Sequence, residues 1–124
     1  MTGRVDKINI PEAFDRISEQ WSPHIARRVN SQEVRLAKIE GAFEWHAHEN
    51  AEEAFFVVRG GFTMRFRDHD VVMLEGDFLV VPTGVEHMPV ANCGECWIML
   101  IETAGTVNTG SNDSGRTKTD LPQL

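Results

Sequence analysis

Basic residues are scarce in this chain. It carries 12 Lys and Arg against 19 Asp and Glu, a formal charge of −7 over 124 residues. Nucleic-acid binding needs a basic face to neutralise phosphates, and an anionic membrane surface asks for the same, so the balance speaks against both partners. Long apolar runs are also missing. None reaches the ~18 residues of a spanning helix, and Met1-Thr2-Gly3-Arg4-Val5-Asp6 has no apolar signal core. A cytoplasmic location is the expectation. Cysteine occurs twice, as Cys93-Gly94-Glu95-Cys96. A structural zinc site would want a second pair, and a redox C-x-x-C opens a helix in a βαβ setting. Here the pair lies between Val90-Ala91-Asn92 and Trp97-Ile98-Met99-Leu100, which predicts two reduced thiols at a hairpin turn. There is no internal repeat and no second helical pattern from which to build a parallel α/β sheet.

What remains is a chain of ordinary composition, 41% apolar and 25% charged, of one-domain size. Residues 1–30 are expected to form an N-terminal accessory segment. Pro11-Glu12-Ala13-Phe14-Asp15-Arg16-Ile17 has the chemistry of a short helix, and Trp21-Ser22-Pro23 ends it. From about Ile25 the period changes to two. Eight or nine short strands, separated by Gly and Pro turns, predict an all-β sandwich or barrel over residues 31–104. Residues 105–124 turn polar and rich in Gly, Ser and Thr, and are expected to form a tail or an extended arm.

Within this frame Phe43-Glu44-Trp45-His46-Ala47-His48 alternates strictly, which puts Glu44, His46 and His48 on one strand face and Phe43 and Trp45 on the other. Two imidazoles side by side can share one metal ion at roughly 2.1 Å each. Glu53 follows after a short turn, where an antiparallel strand would return its carboxylate to the same face. His87 opens a strand after Pro82-Thr83-Gly84. Three imidazoles and one carboxylate suit a divalent transition metal: Fe, Mn, Zn, Ni or Co. His24 and His69 sit near turn signals and are expected to be ordinary surface or hydrogen-bonded residues, like Glu49 and Glu52.

The spacing Gly41-x4-His46-x-His48-x4-Glu53-x6-Gly60 resembles the first motif of the cupins. Gly76-x5-Pro82-x-Gly84-x2-His87-x4-Asn92 resembles the second, and residues 61–75 match the short intermotif region of small bacterial cupins. The first Gly–His interval is one residue shorter than the usual motif and the final His–Asn interval one longer, so Asn92 is given no role. Trp21-Ser22-Pro23, Phe43-x-Trp45-His46-x-His48 and Gly105-Thr106-x-Asn108-Thr109-Gly110 are similar to stretches of a subgroup labelled mannose-6-phosphate isomerase-like.

The resemblance implies a double-stranded β-helix, a jelly-roll barrel with the metal inside near one mouth. His46, His48, Glu53 and His87 would be the ligands. It also implies a homodimer pairing edge strands. The expected function is a small-molecule enzyme, either a ferrous dioxygenase or a metal-assisted isomerase or lyase. The alternative is a non-catalytic module that binds or senses a small ligand or metal. A non-redox reaction needs a general base, for which Glu44 and Lys38 are the candidates. Phe55, Val57, Met64, Phe78, Val80, Trp97 and Met99 are expected to supply the lumen or plain core. A sugar phosphate would need a basic or Gly-rich cradle, and Arg65 and Arg67 are the only close pair on offer for it.

Overall fold

The computed structural model describes residues 5–124; the reading made of Met1 to Arg4 lies outside them. The helical chemistry of the N-terminal stretch yields one turn. In α1 (Ile10–Ala13) the Asn9 side chain caps the Glu12 N–H at 3.0 Å and Pro11 starts the turn. A 3-10 turn (Phe14–Arg16) follows. Seven strands come next: β1 (His24–Val29), β2 (Gln32–Ala42), β3 (Glu53–Arg59), β4 (Phe62–Phe66), β5 (Asp70–Met73), β6 (Phe78–Val81) and β7 (His87–Thr103). β1 lies within the first thirty residues, so that stretch contributes an edge strand as well as the helical turn. No described helix is long and apolar enough to cross a membrane.

All pairings between these strands are antiparallel, in the order β1-β2-β7-β3-β6, with β4 joining β5 to β7. β7 ties the layers together. Its first residues, His87–Val90, pair with β4, and its last part pairs with β2 and β3. The predicted hairpin at Cys93-Gly94-Glu95-Cys96 is therefore corrected. Both halves of β7 run antiparallel to β2, with Ala91 opposite Gly41 and Cys96 opposite Ile39. The chain keeps its direction, and Asn92 to Glu95 bulge into solvent around Gly94 (φ 101°). Both thiols are free; Cys96 is buried and burial pushes it up to about 12, while Cys93 is exposed.

Period two sorts the apolar side chains onto two sides of the large sheet. Ile39, Phe55, Val57, Met64, Val81, Cys96, Ile98 and Leu100 fill the interior. Leu36, Val34, Val58, Trp97 and Met99 face outward under Phe14 and Ile17, with Phe14 stacked on Trp97 at 4.7 Å. The expected lumen set thus divides. Phe55, Val57 and Met64 point inward. Trp97 and Met99 lie on the far side, and Phe78 and Val80 stand 57% and 45% exposed. Register explains the last pair: β6 sets Leu79 opposite Phe55 and Val81 opposite Glu53, so Phe78 and Val80 take the other parity.

The residues from 105 onward form an arm that returns across the barrel. The Ser111 N–H donates to the Ala47 carbonyl at 3.2 Å, and the Asn112 side-chain amide donates to the Trp45 carbonyl at 2.7 Å. Leu124 then bonds the Ile25 carbonyl at 2.8 Å beside β1. Gly110 lies so close to Ala47 that a Cβ there would collide with its backbone, and its φ of 62° disfavours a side chain as well. Gly110→Ala should lower stability by about 1–3 kcal/mol. Limited proteolysis should then cut the arm first; an unchanged digestion pattern and melting temperature would speak against a fastened arm.

Candidate metal centre

β2 ends at Ala42, and residues 43–48 do not continue it as a strand. They cross one end of the barrel as an extended segment held from both sides. The Phe43 N–H donates to Pro89 at 3.0 Å, and His46 and His87 exchange backbone bonds of 3.1 and 2.9 Å. Gly84 donates to the His48 carbonyl at 2.8 Å, and the arm binds Ala47 and Trp45. The strict alternation expected here does not hold: Phe43 packs edge-on against the His46 ring at 5.2 Å, and both border the same cavity.

This scaffold brings His46, His48, Glu53 and His87 together. Each offers one donor atom, all four side chains are buried, and the donor atoms lie within 4.8 Å of one another. Glu53 rather than Glu52 faces inward, as the alternation of β3 requires, and Glu52 is exposed. His24 bonds the Ser22 carbonyl, and His69 is an exposed partner of Asp68. Neither joins the group.

The donor set fits a cation. His46 and His87 each place Nδ1 at 2.9 Å from a carbonyl oxygen two residues back, Glu44 and Val85 respectively. Those carbonyls can only accept, so Nδ1 carries the proton and Nε2 presents a lone pair. Yet the His87 Nε2 lies 3.2 Å from Glu53 Oε1, and His48 Nε2 lies 3.1 Å from the same oxygen. A neutral His87 in this tautomer aims one lone pair at another. A positive charge among the four groups, a proton or a metal ion, resolves that opposition.

Electrostatics favour the ligating forms. Burial, aided by the neighbouring His87, pushes His46 down to about 4, which keeps it neutral. Burial alone would raise Glu53, but hydrogen bonds from Glu102 and His48, and from His87 when its ring carries a second proton, outweigh it and hold this carboxyl well below the usual range. In metal-free protein, the unfolded chain binds more protons than the folded one between pH 6.5 and about 4 at His46, so stability falls as pH drops through that window. Chelator-treated protein should lose about 2 kcal/mol from His46 between pH 7 and pH 5. Urea titrations at the two pH values measure it, and His46→Gln should flatten the dependence; an equally steep His46→Gln profile would refute the assignment.

Sequence reasoning missed a second group behind Glu53. Glu33, Glu102 and Glu53 are register partners across β2, β7 and β3. Arg35, 1% exposed, bonds Glu33 Oε1 at 2.9 and 3.1 Å, Glu102 Oε2 at 3.1 Å and the Thr106 carbonyl at 2.9 Å. Arg28 reaches Glu33 from the surface at 3.1 Å. Burial and then the charge of Glu53 push Glu102 well above the ordinary carboxyl range. As an anion Glu102 would leave Oε1 buried with no donor; as an acid it donates to Glu53. The polar alternation of Glu33 and Arg35 inside an apolar strand was the available signal, but which strands lie beside it was not.

The two candidate bases are held elsewhere. Glu44 accepts from Asn112 at 3.3 Å and from Ser114 at 3.0 Å. Lys38 stands over the outer face of Trp97 at 5.2 Å, while its neighbours Ala37 and Ile39 face the interior. Beside His46, Glu53 and Glu102 lies a cavity of about 50 Å³ with mainly apolar walls.

Comparison with known proteins places the architecture. A cupin domain model matches residues 32–101. A cupin-2 domain protein of Shewanella frigidimarina is 38% identical, with a TM-score of 0.75 over 77% of this chain and 93% of that one. Protein NMB1881 of Neisseria meningitidis is 31% identical, with a TM-score of 0.72 over 80% of this chain and 100% of its own. The uncharacterized protein YdbB of Bacillus subtilis is 30% identical over 80 residues, 64% of this chain and 71% of YdbB. With more than half of its length under the cupin model, and both motif histidine groups and Glu53 inside the matched region, the chain belongs to the cupin domain family.

Proposed function

We propose that this cupin is a metal-dependent enzyme acting on a small molecule, with one divalent transition-metal ion held by His46, His48, Glu53 and His87. The observation that carries the reading is the convergence of four buried donors, with the lone pairs of neutral His87 and Glu53 opposed, beside a cavity large enough for a few atoms. Bound there, the ion would supply Lewis acidity and, as iron, redox chemistry with dioxygen. The chain's own residues orient and exclude. The Glu44 and Val85 carbonyls lock the tautomers of His46 and His87. Arg35 holds Glu102 against Glu53. The apolar walls keep water from the reacting groups.

Oxygen-dependent chemistry is the better supported branch. Isomerase or lyase chemistry needs a free base at the cavity. Glu44 is tied to the arm, Lys38 lies on the opposite strand face and Glu102 is held as an acid, which leaves that branch Glu49, in the cleft on the His48 side and away from the apolar cavity. Elemental analysis of protein purified without chelator tests the metal. Oxygen uptake by ferrous protein with a panel of dicarbonyls, thiols and catechols tests the reaction. Iron with substrate-dependent uptake supports the dioxygenase. Zinc or nickel without uptake would instead favour Lewis-acid chemistry or a binding module.

A further inference from the structure

Two spaces border the donor cluster, one at His46 and Glu53 and the other at His48, and among the described residues neither is lined by a lysine or arginine. The first is the cavity of about 50 Å³, where His46, Glu53 and Glu102 form the polar end. Ile39, Phe55, Ile98 and Leu100 wall it, and Trp21 stacks on Phe43 at 4.8 Å beside it. Asn108 at its border has both ends of its amide engaged, donating to the Arg116 carbonyl at 2.8 Å and accepting from the Lys118 N–H at 2.7 Å. The second space is a cleft of about 360 Å³ on the His48 side, where Glu49 adds negative charge. Three of its backbone donors are committed: the N–H groups of Thr106, Gly110 and Ser111 bond Thr103, Val107 and Ala47 at 3.1, 2.9 and 3.2 Å. Arg65 and Arg67 do not reach either space. They are paired with Asp70 at 3.5 Å and Glu86 at 3.2 Å, and Arg67 lies on the Trp45 ring at 3.9 Å.

From this we infer that the substrate is a small, uncharged molecule with a hydrocarbon body and one oxygen pair for the metal, and that sugar phosphates are excluded. The inference rests on the metal reading above and narrows it. A phosphate is held best by an arginine fork; neither route is lined by one, and Arg116, 5.9 and 5.5 Å from the Trp21 and Phe43 rings, is not part of the cavity wall. In the apolar cavity a sugar ring would bury several hydroxyls where the walls have no partners, at a cost of about tenfold in affinity for each one left unpaired. Hydrocarbon gains instead, about fourfold for each methylene taken from water. Size bounds the hydrocarbon end alone: at a third of the roughly 150 Å³ that admits benzene in an engineered core, the cavity takes an alkyl end of about one to three carbons and leaves the oxygen pair outside it, at the donors.

Calorimetry on cobalt(II)-loaded protein, followed also by the visible cobalt spectrum, tests this with 2,3-butanedione, 2,3-pentanedione and mannose 6-phosphate. The diketones should bind and perturb the spectrum, the pentanedione about fourfold more tightly. Mannose 6-phosphate should bind at least a hundredfold more weakly. Ala37 borders the cavity, and Ala37→Leu, which adds three carbon atoms there, should keep the cobalt stoichiometry and weaken diketone binding at least tenfold. The probe series on the unsubstituted protein stands even where that variant does not fold. Sugar-phosphate binding as tight as diketone binding, or a cobalt-loaded protein indifferent to diketones, overturns the substrate class while leaving the metal reading intact. A protein that takes up no cobalt overturns the metal reading itself.

Discussion

His87→Ala should weaken divalent-metal binding at least a hundredfold, while His69→Ala leaves it unchanged. His87 is fully buried, its Nδ1 is fixed to the Val85 carbonyl at 2.9 Å, and its Nε2 faces Glu53 at 3.2 Å. Removal of one imidazole takes away one of four donors. A structural zinc site is worth roughly 10–16 kcal/mol, so a quarter of it is about 3 kcal/mol, or two decades in Kd. His46→Ala should act alike, because the two rings are 4.2 Å apart and carry the same carbonyl lock. His69 is exposed and bonded to Asp68 at 2.8 Å, far in sequence and role from the cluster. Competition with a chromogenic chelator measures Kd, and far-UV circular dichroism checks the fold. Equal affinity in all three variants would sink the four-ligand assignment.

Arg35→Met should destabilise the protein by about 3–5 kcal/mol, the cost of stranding buried charge. Arg35 spends its donors on the buried Glu33 and Glu102 and on the partly buried Thr106 carbonyl. Without it Glu33 keeps only the half-exposed Arg28, at 3.1 Å, and Glu102 loses its one cation. Glu102→Gln should cost far less, under about 1 kcal/mol: the amide keeps an acceptor for Arg35 and a donor for Glu53. Urea unfolding compares the two variants. If both lose the same amount, Glu102 is not held as an acid, and the account of the network fails.

The candidate ligands were legible because they sit at intervals that a strand scaffold turns into positions. The cupin spacing to Gly60 pointed to Glu53 and strand alternation turned Glu52 the other way; Glu53 is buried and Glu52 exposed. The same rule failed at residues 43–48, where the backbone leaves the sheet after Gly41 (φ 78°) and is held by Pro89, His87 and the arm. There Phe43 and His46 share one cavity despite their opposite parity. Cys93-Gly94-Glu95-Cys96 misled for a related reason. A Gly flanked by polar residues serves a bulge as well as a hairpin, and only the partner strand distinguishes them.

Composition and order along the chain were enough to determine an all-β domain and an acidic net charge, because these depend on residue type and local period, and the resemblance to the cupin motifs singled out the candidate ligands. Tertiary structure alone decided that Phe78 and Val80 face solvent, that Lys38 lies across the sheet from the cluster, and that Glu33, Arg35 and Glu102 back Glu53. Each of those depends on which strand lies beside which and in what register, and pairing between segments 67 residues apart, as between Arg35 and Glu102, leaves no local trace in either one.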